Sequence, residues 1–568
     1  AKAFMTPWIR TFSALLAALG LSLSLLASTP SPSTADPKDP TDTPREVAEK
    51  ALELVQQLTA PPGKGHRNPG KAKNRGEGLG LTTALRDLSA SVADLSKADQ
   101  KTARRFLTRP DEPGGPDCQP VRMGCYTDAE RPALDSYCIA GMLCVHYSRV
   151  SGPNRIPLED DGAAGSWRIG TPARNGVPDY AEAALITAYN VRLKYQSAGY
   201  RTPLGDGAKG GSGANTFDIY LADLNTAYGQ LYGYCSTDDL VTSHAAYAGY
   251  CVLDNDFSPR QYGTSSSPLA NMWVTTAHEY FHAVQFAYDA LEDGWLFEAT
   301  ATWAEDEVYP TINDNAQYLP YGVLGNPSYP LDQFNDYEAY GNWIFFRYLA
   351  QRFPHKQGGM ATIIRDIWER TTTPNSSSAT PGATYSVQAI TTALQARGVN
   401  LPAELAWFAR VNRIASAYYH DAAGFPLAPL RGSAWTTRTS RAKTFVNRLD
   451  HLSTATYRFY RSSTLKGNRW KFLLSSDLPN TALGSRVMLT VHRKSRGSTS
   501  VHLTLNSGGN GLLTGSFDTD VVWIEVTVVN GGTRYAGCAY GETPPGEGTC
   551  GGYPVDEGYP HRITVTAY

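Results

Sequence analysis

The sequence is short of charge and shows almost no imbalance of sign. Charged residues make up 18% of its 568 positions, and 51 Lys and Arg stand against 53 Asp and Glu, a formal charge of −2. No strong field therefore marks nucleic acid or an anionic membrane as a partner. Beyond Leu26 there is no uninterrupted apolar run of about 18 residues, so no later segment reads as a membrane span. Paired C-x-x-C spacing is absent, which excludes a zinc ribbon. A G-x-S-x-G elbow is absent too, which removes the usual serine-hydrolase reading. Gly207-Ala-Lys-Gly-Gly-Ser-Gly213 has the residue types of a phosphate loop without its spacing and reads as a flexible loop.

What remains is a long chain, 42% apolar, and such a chain is expected to fold as two or three units. Lys2 and Arg10 precede a mostly apolar stretch from Phe12 to Leu26, followed by small residues. This pattern reads as an export signal over residues 1–35, with Ser33-Thr34-Ala35 as a cleavage site and Ala27-Ser28-Thr29 as another. The chain is therefore expected to be secreted and, once the signal is removed, to have no stable membrane association. The eight cysteines are then expected to form disulfides. Cys235 and Cys251 flank one Tyr-rich loop and Cys538 and Cys550 another, while Cys118, Cys125, Cys138 and Cys144 allow three connectivities.

Residues 36–114 read as an N-terminal helical region or pro-segment with linkers: Arg45 to Leu58 and Leu81 to Leu107 carry helical periodicity around a basic, Gly/Pro-rich stretch. Residues 115–425 read as an α+β unit. Thr216 to Leu221 and Tyr247 to Leu253 alternate as strands, and helices are expected at Ser267 to Leu291, Trp295 to Val308, Tyr340 to Phe353, Met360 to Arg370, Val387 to Ala396 and Ala403 to Tyr419. Residues 433–568 carry short β runs punctuated by Gly, Asn and Ser, the texture of a β-sandwich or jelly roll. Asp254 and Asp256 read as a turn rather than a calcium site.

The chemistry is concentrated in Ala277-His278-Glu279-Tyr280-Phe281-His282-Ala283. Residues four apart share one face of a helix, so His278 and His282 can bind one zinc ion, with Glu279 beside it as general base for an activated water. With 11 histidines, a chance H-E-x-x-H is expected on the order of once in a hundred such chains. The neighbours Trp273, Val274, Ala277, Phe281 and Val284 make the helix apolar over much of its circumference, so it should be buried. A catalytic zinc takes three protein ligands and leaves one position open. Glu298, in the first turn of the next helix among apolar neighbours, is the best third candidate; Glu305 and Asp306 are its rivals. Gln285 and Tyr288 stand where a metzincin needs Gly and His.

These residues resemble the gluzincin clan of zinc peptidases, in which a glutamate ligand follows H-E-x-x-H on a second helix. Trp295-Leu-Phe-Glu298-Ala-Thr-Ala301 resembles the ligand signature of its aminopeptidase branch, which implies Glu298 as third ligand. No G-x-M-E-N segment for gripping a substrate amino terminus accompanies it, so endopeptidase action is the better expectation. A nearer resemblance is to a largely uncharacterised group of exported bacterial metalloprotease-like proteins. Ala277 to Gln285, Trp295 to Asp306, Asn175 to Tyr180 and Asp218 to Leu221 carry it. It implies a zincin-like fold with a mostly helical second half and no particular substrate. Tyr340 resembles in position the tyrosine that the aminopeptidase branch places on the oxyanion. The position one turn after Glu298 is Thr302, leaving Glu305 to orient a histidine. The expectation is a secreted zinc-dependent peptidase acting on peptides or proteins. The competing one is an exported binding or adhesion protein whose central unit is structural or inactive.

Overall fold

The computed structural model describes residues 43–60, 80–112, 126–161, 174–213, 215–224, 231–242, 245–334, 336–371, 384–420, 422, 424–536 and 549–568. The expected signal peptide, the basic linker 61–79, and Cys118, Cys125 and Cys538 lie outside the described residues. Among the described residues, no helix is long and apolar enough to cross a membrane.

The architecture is mixed α/β at the N-terminal side, helical in the middle and β-rich at the C-terminal end. The first sheet holds β1 (Leu134–Ile139), β2 (Leu143–Ser148), β3 (Phe217–Ala222), β4 (Gly233–Thr237) and β5 (Gly249–Asp254), in the order β1-β2-β3-β5-β4. The β2–β3 and β3–β5 pairs are parallel, and the outer pairs β1–β2 and β4–β5 are antiparallel. Disulfides Cys138–Cys144 and Cys235–Cys251 staple the two antiparallel pairs. Because side chains alternate across a strand, Ile219, Leu221, Cys251 and Leu253 enter the main core, while Tyr220, Tyr234, Tyr250 and Val252 face the other way. Both faces are covered, which explains strands buried along their whole length.

That second face is covered by the N-terminal helices. They are α1 (Pro44–Leu58), opened by a capping box between Thr43 and Glu46, α2 (Leu81–Ser91) and α3 (Lys97–Leu107). The helical stretch expected from Leu81 to Leu107 is interrupted. A 3-10 turn at Val92–Asp94 and the Ser96 cap, which accepts the Asp99 amide, restart the chain as α3.

The first face packs against α4 (Asp179–Ser197) and α6 (Pro268–Phe286), with the short α5 (Pro259–Tyr262) between them in sequence. Ser267 caps α6 by accepting the Ala270 amide, and Pro268 fills its first position. Next come α7 (Gly294–Val308), α8 (Asp336–Gly341), α9 (Trp343–Arg352), α10 (Thr362–Thr371), α11 (Val387–Gln395), α12 (Leu401–Asn412) and α13 (Ala415–Tyr418). Tyr340 does not open a helix, as the sequence pattern indicated, but lies in the last turn of α8. Gly341, the last residue of α8, lies against Gly322 and Tyr318: a Cβ on it would sit 2.5 Å from both Gly322 N and Tyr318 O. Asp254 accepts the Asp256 and Phe257 amides, the turn expected there.

The C-terminal strands are β6 (Gly432–Thr436), β7 (Ala442–Leu449), β8 (Ser453–Arg461), β9 (Lys471–Asp477), β10 (Ser485–Arg493), β11 (Gly497–His502), β12 (Gly511–Ser516), β13 (Val521–Asn530) and β14 (Tyr559–Ala567). They form two sheets, β11-β10-β13-β8-β6 and β12-β9-β14-β7, around one apolar core. This unit braces the helical one. Asp332 meets His451 at 2.8 Å and accepts from the Tyr535 hydroxyl and the Thr549 amide, while the Cys550 amide donates to Asp293 at the start of α7.

Candidate metal centre

Helix α6 presents His278, Glu279 and His282, and antiparallel α7 brings Glu298 against them. Glu298 Oε2 lies 3.2 Å from His278 Nε2 and 3.5 Å from His282 Nε2. These three residues are buried and offer ligand atoms within 4.8 Å of one another, so they could hold one metal ion. Of the rivals for the third position, Asp306 turns away to Arg347, at 2.7 Å. Glu305 faces the far side of the His278 ring, with Oε1 at 2.6 Å from Nδ1.

The hydrogen bonds determine how each ring is turned. Phe297 O can only accept, so the Gln285 side-chain NH2 faces it at 3.0 Å and also donates to Thr300 Oγ1 at 2.9 Å. Gln285 Oε1 then faces His282 Nδ1 at 2.7 Å and accepts its proton. The Glu305 carboxylate does the same for His278 Nδ1. Both Nε2 atoms face Glu298 Oε2 and are the ring atoms that would reach a shared metal ion. Glu298 Oε1 is buried without a hydrogen-bond partner, a costly arrangement unless a cation completes it. The donor set therefore fits a metal: two imidazole rings and one carboxylate, whose ligand atoms lie together.

Burial opposes charge on Glu298, but His282 and His278 outweigh it and hold its pKa well below the usual carboxylate range. Burial pushes Glu305 up to about 7 despite its bond to His278. Burial also pushes Glu279 above its ordinary value, against the pull of His282 and His278. Glu279 lines the cavity beside the histidines without joining the ligand set. Its approach depends on Gly233 of β4, where a Cβ would come within 2.7 Å of Glu279 Cγ. The Tyr340 ring stacks parallel to His278, 5.8 Å between centroids, and its hydroxyl opens to the same cavity. Burial, reinforced by Glu298, raises the Tyr340 pKa well above 10, so the phenol stays protonated.

All five residues singled out by sequence thus meet in one place. Gln285 and Gly233 were not singled out. Gln285 follows His282 by three positions on the same helix face, a readable spacing; nothing local marks Gly233.

No family model matches the chain, and no curated protein matches it. Among solved structures it is similar to the pre-peptidase C-terminal domain of a collagenase from Bacillus anthracis, at 10% identity over 25% of this chain and 97% of that one, with a TM-score of 0.15. It is also similar to PliG of Salmonella Typhimurium, a periplasmic inhibitor of g-type lysozyme, at 11% identity over 24% and 98% of the two chains, with a TM-score of 0.14. The candidate metal centre is therefore read from its own geometry.

A second group, Cys144, His146 and Asp218, also clusters. Cys144 is spent in its disulfide, and Asp218 is occupied by Arg109 Nη1 at 2.5 Å and His146 at 2.9 Å. This cluster is an ion-pair network with no thiolate to offer.

Proposed function

We propose that the chain is a zinc-dependent peptidase of the gluzincin type, acting outside the cytoplasm on peptide bonds within polypeptides. The observation that carries this reading is the pair of oriented histidines facing Glu298, whose Oε1 is otherwise unpaired in the interior. The cross-strand disulfides support the setting.

His278, His282 and Glu298 would hold the zinc. When bound, it would supply Lewis acidity for the scissile carbonyl and for the attacking water. Glu279 takes a proton from that water and returns it to the leaving amide nitrogen; its raised pKa suits a group that must both accept and give. Tyr340, protonated and in the same cavity, donates a hydrogen bond to the oxyanion. An extended substrate adds along β4, the terminal strand of the first sheet. The neighbouring β5 is paired on both sides by β3 and β4 and has no free edge.

The test is the metal content of the purified protein together with Glu279→Gln. About one zinc per chain, and loss of peptide cleavage in the variant with zinc retained, are expected. Absence of zinc, or cleavage that survives the substitution, refutes the proposal.

A further inference from the structure

We infer that the N-terminal helices α1, α2 and α3 are an inhibitor built into the chain, with the first turn of α2 seated where a peptide substrate would lie; this rests on the peptidase reading above. Three groups that a substrate needs are already engaged by that turn. The Gly80 amide donates to the Tyr340 hydroxyl at 2.9 Å. The Thr82 hydroxyl donates to Glu279 Oε2 at 3.5 Å and accepts the β4 amide of Cys235 at 2.9 Å. One hydroxyl thus meets the edge-strand amide as a substrate carbonyl would and the base as a water would.

The remaining space is a cavity of about 60 Å³, room for a few water molecules and not for a peptide. Nor does the segment offer itself for cleavage. Gly80 O accepts the Ala84 amide at 2.9 Å, so the chain enters a helix at this point and presents no extended peptide bond.

The seat is specific along the length of α2. Ten of its eleven residues are buried, including Thr82, Arg86, Asp87 and Ser89, whereas a surface helix keeps a polar stripe in water. Arg86 donates to Glu292 O at 2.5 Å and lies over the Phe297 ring at 5.1 Å, one residue before Glu298. Ser89 Oγ accepts the Val241 amide at 3.0 Å. Beyond α3, Arg109 is fully buried among Asp206, Asp218 and Asp238, each at 2.5 Å. The helices attach by a charged clasp at one end and a plug at the other.

The experiment uses the full chain with a specific protease site inserted directly after Glu112, and separately the double variant Arg86→Ala/Ser89→Ala, which loosens α2 without touching the metal centre. Access is read by diethyl pyrocarbonate modification of His278 and His282 in EDTA, quantified by mass spectrometry, which requires neither zinc nor turnover. Cleavage of a quenched peptide library is read in parallel with zinc. Intact protein should react slowly at both histidines. Cutting and release of the segment, and the double variant uncut, should each raise both rates by at least about tenfold, as expected when a minor open state becomes the major one. Unchanged histidine modification once the segment is gone overturns the inference. If the cut chain loses its circular dichroism, the double variant decides alone, and unchanged modification there overturns it equally. Histidines that become reactive in a protein that neither binds zinc nor cleaves peptides would uphold the occlusion and sink the peptidase reading.

Discussion

Gln285→Leu isolates the contribution of orientation to the metal centre. Gln285 is not a ligand, yet its amide is held from three sides: Oε1 accepts from His282 Nδ1 at 2.7 Å, and Nε2 donates to Phe297 O and Thr300 Oγ1. Leucine has similar bulk and none of these bonds. His282 Nδ1–H is then left buried without a partner, and the ring loses the constraint that turns Nε2 toward Glu298. Loss of such a supporting partner typically weakens metal affinity about 10- to 100-fold, or about 1.4 to 2.7 kcal/mol. The apoprotein should also lose about 1 to 3 kcal/mol of stability through the unsatisfied groups. The assay is competition for zinc against a chromophoric chelator at neutral pH, with circular dichroism to verify folding. Gln285→Glu, which keeps an acceptor for Nδ1, should retain affinity much nearer the parent. A folded Gln285→Leu protein with parental zinc affinity would refute the reasoning.

Gly233→Ala puts a methyl group 2.7 Å from Glu279 Cγ and 2.9 Å from Thr275 Cγ2, so the base must move; a displacement near 1 Å should lower kcat/KM by about 100-fold while zinc stoichiometry stays unchanged. Removal of zinc with EDTA should lower Tm, and Tm should rise with free zinc in the parent but much less in Glu298→Gln, because only the native state has the site assembled. His451 sets a pH dependence. Burial works against its charge, but Asp332 and Glu557 outweigh that and raise its pKa to about 10. A pKa of about 10 against an unfolded value near 6.5 corresponds to roughly 5 kcal/mol, present in full below pH 6.5 and lost as pH rises through 10. Chemical denaturation across that window should record the loss in the parent and a much flatter profile in His451→Gln.

Parts of this molecule were legible because their chemistry is local. His278, Glu279 and His282 share a helix face by spacing alone, and Ser267-Pro268 marks the start of that helix. The C-terminal strands announced themselves by alternation and turn residues, although β6, β7 and β12, all of which lie at sheet edges, did not. Helix α4 was missed because it is buried around most of its circumference, which erases the amphipathic stripe by which helices are recognised. β4 was missed because five residues are too few to establish a period.

The sequence alone determined that His278, Glu279 and His282 lie together on one helix, since helical geometry follows from covalent spacing. It also placed Glu298 on a neighbouring helix. Only the tertiary structure shows the three carboxylates apart, with Glu298 against both histidines, Glu305 on the far side of His278 and Asp306 on Arg347. Glu298, Glu305 and Asp306 all sit on α7, and the rotation of that helix against α6, set by packing across the whole core, separates their roles. The same holds for the plug: nothing within Gly80-Leu81-Thr82 refers to His278 or Tyr340, and nearly two hundred residues or more intervene in each case. Contacts at that separation are selected by the complementarity of folded surfaces, which no local pattern encodes.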